Sequence, residues 1–221
     1  MTSPSEILRK DTRVEHRRIG GSPIMRRLFQ ADYTKDEYRD LLIRFYGIVK
    51  PLEDKVERMA SADVKAVVKP RFKAGHLECD LMGLGMTAEE IKRIPLAPIP
   101  RGPMSDEAVL GLFYVTEGQT QGGKIISRGL RKKFGDELKT ALNFYDPYGD
   151  KCDAKWAEFK SELDYRLDTP RKLRAAVIHA NNSFRAITGW LTRDNPMMSA
   201  DADKPATPPK TDRRRKLLPT L

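Results

Sequence analysis

Residues 109–134 read VLGLFYVTEGQTQGGKIISRGLRKKF. Leu112, Phe113 and Val115 precede the middle, Ile125, Ile126 and Leu130 follow it, and no proline interrupts, so the stretch predicts one helix. Four glycines sit inside it beyond Phe113. Gly118, Gly122, Gly123 and Gly129 each cost about 1 kcal/mol relative to alanine in a helix interior, which tertiary structure has to return. Such a helix is bent or closely approached. Gly118 and Gly122 lie one turn apart on nearly the same face and offer bare backbone to a packed helix or to a flat ligand. The glycines alone leave both open.

Outward from this stretch the helical pattern continues in both directions. On the N-terminal side, residues 5–19 predict a short amphipathic helix that starts at a capping Ser5, carries His16 and ends at Gly20 and Gly21. Ser22-Pro23 starts another turn. Residues 34–59 form the clearest period of three and four, with Pro51 expected to kink it. Residues 63–83 predict a helix that restarts at Pro70, Thr87 opens a capping box, and PLAPIPRGP (95–103) is a proline-rich crossing. On the C-terminal side a short helix is expected over 136–144, then longer ones over 153–166 and 170–193. No stretch alternates with period two for long, so the fold class is all-α. A single helical domain over residues 1–193 precedes a proline-rich, basic, disordered tail over 194–221, with Arg213–Lys216 as its densest charge.

At 221 residues with a net charge of +10, the chain has room for a sizeable core and an excess of cations. The excess is scattered over separate segments, with no finger, helix-turn-helix or aromatic RNA-binding signature, which argues against nucleic acid and leaves an anionic small ligand or an acidic protein as partner. No apolar run approaches a membrane span and the N-terminus lacks the apolar core of a signal peptide. Cys79 and Cys152 are isolated thiols without a CxxC spacing. They suit the reducing cytoplasm and speak against a disulfide framework or a zinc site.

Chemistry-bearing motifs are few. There is no nucleophile elbow, phosphate loop, dinucleotide fingerprint or paired Glu/His set for a di-iron centre, so redox chemistry has to arrive with a cofactor. Of the three histidines, His16 lies on an amphipathic helix among cations, where a neutral imidazole is either ordinary surface or a ligand to a metal or iron porphyrin.

Several segments together carry a resemblance. LRKDTRVEH (8–16) is similar to the N-terminal LRxxTxxxH of the bacterial heme oxygenases, and YVTEGQTQGG (114–123) to their distal-helix YVLEGSxxGG. YRDLLIRFYGIVKPLE, CDLMGLG and SFRAITGWL resemble further segments of that family, so the likeness spans roughly residues 6–192 in order. It implies a helical fold with heme between a proximal helix and a kinked, glycine-rich distal helix. It implies His16 as the axial iron ligand and Gly118, Gln119, Gly122 and Gly123 as the distal catalytic segment. Arg9, Lys160 and Arg166 match positions for propionate cations, and Phe113 replaces a tyrosine found near the propionates.

The activity implied is cleavage of heme at a meso carbon to biliverdin, carbon monoxide and iron. Heme is then both substrate and cofactor, O2 is consumed, and electrons come from a separate ferredoxin, flavodoxin or reductase. Two positions depart from the family. Gly20 stands where many relatives carry a glutamate that would hydrogen-bond the imidazole, and Gln119 stands where others carry a distal aspartate or small polar residue. These departures keep a non-catalytic heme or bilin carrier of the same fold as the alternative.

Overall fold

Side-chain caps set most helix starts. Ser3, Thr34, Ser61, Thr87, Ser105 and Thr169 each accept a hydrogen bond from the backbone N–H three residues on, satisfying one of the donors a helix start leaves free. The computed structural model describes residues 2–193, so the tail expected over 194–221 lies outside the described residues. Ten α-helices occur among them, and no strand. They are α1 (Pro4–Asp11), α2 (Arg13–Gly20), α3 (Pro23–Arg27), α4 (Lys35–Met59), α5 (Ala62–Val68), α6 (Ala74–Gly83), α7 (Ala88–Lys92), α8 (Asp106–Phe134), α9 (Cys152–Arg166) and α10 (Pro170–Leu191). None of the described helices is long and apolar enough to cross a membrane.

The glycine-rich stretch is α8, and it runs unbroken for 29 residues. Every residue from Ala108 to Glu117 is buried, as expected of a helix that is apolar all round. Beyond that point one side opens. α10 lies along α8: a Cβ built on Gly111 would sit 2.4 Å from the Ala176 carbonyl oxygen and 3.0 Å from the Ala180 nitrogen, so only glycine permits this approach. Both helices start at the same end, where Arg171 and Lys172 act electrostatically on Glu107.

Pro51 does not interrupt α4. Its missing N–H frees the carbonyl of Gly47, four residues back, and the Ala97 N–H of the proline-rich crossing donates to that carbonyl at 2.7 Å. The crossing is thereby fixed, with its Pro95 carbonyl packed where a Gly47 side chain would stand.

Three expectations shift. The helix expected over 5–19 begins at Ser3 and divides at Thr12, whose hydroxyl donates back to the Leu8 carbonyl at 2.7 Å. The helix expected over 63–83 restarts at Ala74, not at Pro70, because the Glu53 carboxylate accepts the Lys73 and Ala74 N–H groups at 2.5 and 3.0 Å. Residues 136–144 form only a 3-10 turn over Gly135–Leu138. Beyond it the buried Asp80 carboxylate takes the N–H groups of Asn143 and Phe144, both at 2.8 Å, and so replaces helical hydrogen bonds.

Candidate functional site

α2 and α8 approach each other at Thr12 and Tyr114. The Thr12 hydroxyl and Arg9 lie close to the Tyr114 side chain, and both oppose the upward push that burial exerts on the Tyr114 phenol. One helical turn beyond Thr12 is His16, and one turn beyond Tyr114 is Gly118. α10 supports both helices. Arg185 on α10 pairs with Glu15 at 2.9 Å, Asn181 donates to the Asp11 carbonyl at 3.3 Å, and the Phe184 ring meets the His16 ring edge-on at 5.9 Å and 87°. From the Gly111 contact, about 10 Å of rise brings α8 to Gly118 and about 9 Å brings the parallel α10 to Phe184. His16 therefore stands at the height of Gly118, on the neighbouring helix.

The four expected glycines divide by what their missing side chains would meet. At Gly123 a Cβ would lie 2.2 Å from the Tyr145 carbonyl oxygen, so this glycine serves close packing of the 139–146 segment. At Gly118 it would lie 3.5 Å from Cη2 of Trp156, in ordinary contact with an indole of α9. At Gly122 and Gly129 nothing lies within 4 Å. Ile125, on the same face as Gly118 and Gly122, is 66 % exposed, so the open part of the strip is apolar as well as bare.

The side chain of Gln119 flanks that strip. Its Nε2 is buried without a hydrogen-bond partner, as is Oγ1 of Thr116 one turn earlier. Buried polar atoms of this kind are normally satisfied, by protein or by ordered water. The side chains of His16, Lys160 and Arg9 make no hydrogen bond or ion pair among the described residues. An exposed imidazole, bare backbone facing open space, an unpaired amide donor and free cations together fit an iron porphyrin: a nitrogen for the metal, a flat apolar surface for the ring, cations for its carboxylates.

Two expected residues stand apart from this group. Phe113 is 1 % exposed and stacks on Phe72 with ring centroids 5.7 Å apart, so it belongs to the core and offers no surface to a ligand. Arg166 pairs with Asp63 and with Glu162, the latter at 2.8 Å; the Asp63 hydrogen bond is the main cause of a pKa above the ordinary arginine value. It ties α9 to α5.

Sequence reading missed a buried ionic cluster behind α8. The Lys73 ammonium donates to Glu117 Oε2 at 2.8 Å, to the Tyr148 hydroxyl at 2.8 Å and to the Arg71 carbonyl at 3.0 Å, which uses all three of its protons. Tyr148 donates to the same Glu117 oxygen at 3.0 Å, and Arg71 lies over the Phe159 ring at 5.0 Å while pairing with Glu158 at 2.8 Å. Burial pushes the Lys73 pKa down, and the Glu117 carboxylate opposes that push. Glu117 and Gly122 are separated by about 140° around α8. The cluster thus clamps the back of the helix while the strip stays free at the front. A signal for it was present: Glu117 is a lone charge on the apolar 113, 117, 120 face, and such a charge needs a buried partner.

Comparison with known proteins gives the family. The family model described as "Heme oxygenase" matches residues 2–193. A protein named "Heme oxygenase" from Xanthomonas campestris pv. campestris (strain 8004) is 27 % identical over 161 residues, covering 73 % of this chain and 92 % of that relative. The solved structure of heme oxygenase from Leptospira interrogans superposes with a TM-score of 0.63 at 18 % identity, over 86 % of this chain and 98 % of the other, and so shares the fold. With the family matched over nearly its whole length, the chain belongs to the heme oxygenases, enzymes that degrade heme.

Proposed function

We propose that this chain opens heme at a meso carbon to give biliverdin, carbon monoxide and ferrous iron, consuming O2 and taking electrons from a separate ferredoxin, flavodoxin or reductase. When bound, heme supplies both the ring that is cleaved and the iron that activates O2. The single observation that carries the reading is the placement of His16 and the bare strip of α8 at the same height on neighbouring helices, braced by Phe184 and by Thr12 against Tyr114.

In this reading a ring nitrogen of His16 donates its lone pair to the iron. With Gly20 offering no carboxylate, the edge of Phe184 orients the imidazole by packing instead of by a hydrogen bond. Gly122 lets backbone approach the ring, and Gly118 with its Trp156 neighbour borders the same face. Gln119 cannot titrate, but its unpaired Nε2 donates to an ordered water and so orients proton delivery; the distal contribution is positional. Arg9 and Lys160 bind the propionates as charge-assisted pairs. Phe113 and Gly123 support this site from the packing behind it, and Arg166 fixes α9 on α5. Two free thiols, Cys79 and Cys152, suit work in a reducing cytoplasm.

Titrating the purified protein with hemin and then adding reductant under air tests the reading in the visible spectrum. Loss of the Soret band with growth of a broad red bilin absorption is the expected result. A Soret band that persists under those conditions identifies a carrier, and no Soret band on hemin addition removes heme altogether.

A further inference from the structure

The bare strip of α8 is not uniform, and the difference lies in one side chain of α9. Trp156 sets its six-membered ring against Gly118, where an added Cβ would meet Cη2 at 3.5 Å and Cζ2 at 3.9 Å. One turn on, the same construction at Gly122 meets nothing. The indole is buttressed. Its ring lies 5.8 Å from Tyr114 at 48° and 6.2 Å from Phe159 at 37°, and Phe159 carries the Arg71 guanidinium held by Glu158. This is a group of tilted rings anchored to the buried ionic cluster, so the indole has little room to swing away. Lys160 follows Trp156 by one turn on the same side of α9, and Arg9 lies near Tyr114.

We propose that Trp156 is a specificity-determining residue: it walls off the Gly118 end of the strip and confines the porphyrin face to the Gly122 end, thereby fixing which edge of the macrocycle lies beneath α8. The inference rests on the heme reading above and adds to it the element that selects the meso carbon. With the ring kept from Gly118 and its carboxylates drawn to Lys160 or Arg9, the wall and the cations jointly define the seating. Without the indole, the strip is open over a further turn, about 6 Å of helix.

The test compares full-length wild type, W156A, W156L and W156F loaded with hemin. The heme-methyl proton pattern of the ferric complex reads the seating without turnover, and the biliverdin isomer ratio after turnover reads its consequence. W156A is expected to change the methyl pattern and to shift the isomer ratio by about tenfold or more, the scale on which packing in an apolar pocket discriminates. W156L is expected to lie between, and W156F to stay close to wild type. Should W156A fail to fold, as judged by far-UV circular dichroism, W156L carries the comparison. Wild-type methyl pattern and isomer ratio in W156A, or in W156L where it stands in, overturn the inference while leaving the heme reading intact. Wild type that takes up no hemin overturns both.

Discussion

The Thr12 hydroxyl meets the Tyr114 side chain where α2 and α8 come together, one turn before His16 on the first helix and one turn before Gly118 on the second. From that contact each helix carries a different half of the proposed site: an imidazole on one, bare backbone on the other. α10 holds the two in register, through Gly111 against Ala176 and Ala180 for α8 and through Phe184 and Arg185 for α2.

The glycines of α8 separate stability from binding. G129A, pointing into open space, should stabilise the protein by about 0.5–1 kcal/mol with hemin affinity unchanged, because alanine is the better helix former. G122A should gain similar stability and lose hemin affinity, since its methyl intrudes on the open strip. G123A forces a methyl to within 2.2 Å of the Tyr145 carbonyl oxygen and should lose about 2–3 kcal/mol. Thermal unfolding and Soret titration of the three variants check this ordering; equal hemin affinity in G122A and G129A contradicts the role given to Gly122.

Glu117 and Lys73 are 0 % and 1 % exposed and make their principal contact with each other. Removing one partner leaves a buried charge, so E117Q or K73M alone should cost about 3–5 kcal/mol. The double variant K73M/E117L should recover much of that loss, since the desolvation penalty disappears with both charges. Denaturant unfolding of the cycle measures the coupling. Strictly additive losses show that the pair is not energetically linked.

Glu53 gives the fold a pH dependence of known sign. Burial raises its pKa from 4.5 to about 7, outweighing the Lys73 and Ala74 N–H donors that favour the carboxylate. The folded state therefore holds a proton that the unfolded state has released, and stability falls as pH rises between those values. The contribution is about 3 kcal/mol, fully present below pH 4.5 and lost by pH 7. E53Q cannot titrate, and its stability profile should be flatter than wild type across that window. Parallel profiles for the two proteins exclude Glu53 as the source.

Much of the fold was legible in the sequence because caps and apolar period are local signals: Thr34, Thr87 and Pro170 start helices where their chemistry says they should. The failures are long-range. The short helix expected over 136–144 gave way to backbone hydrogen bonds accepted by Asp80, more than sixty residues earlier, and the restart at Ala74 depends on Glu53. The site divides in the same way. His16, Arg9 and the glycine strip enter the proposed site through the family motifs, whereas Gly123 serves packing and Phe113 the core. Trp156 and Lys73 had no motif to mark them, and Glu117, though part of the distal motif, gave no sign of its partner, because the partners lie distant in sequence.

Iron held by His16 across from the open strip is the central proposal. Resonance Raman spectra of the ferrous heme complex read that bond through its iron–histidine stretching band. Wild type should show the band, H16A should lack it, and imidazole added to H16A should bring back an iron–imidazole stretch in the cavity the substitution leaves. An unaltered band in H16A would mean that another residue binds the iron, and the site would have to be placed elsewhere.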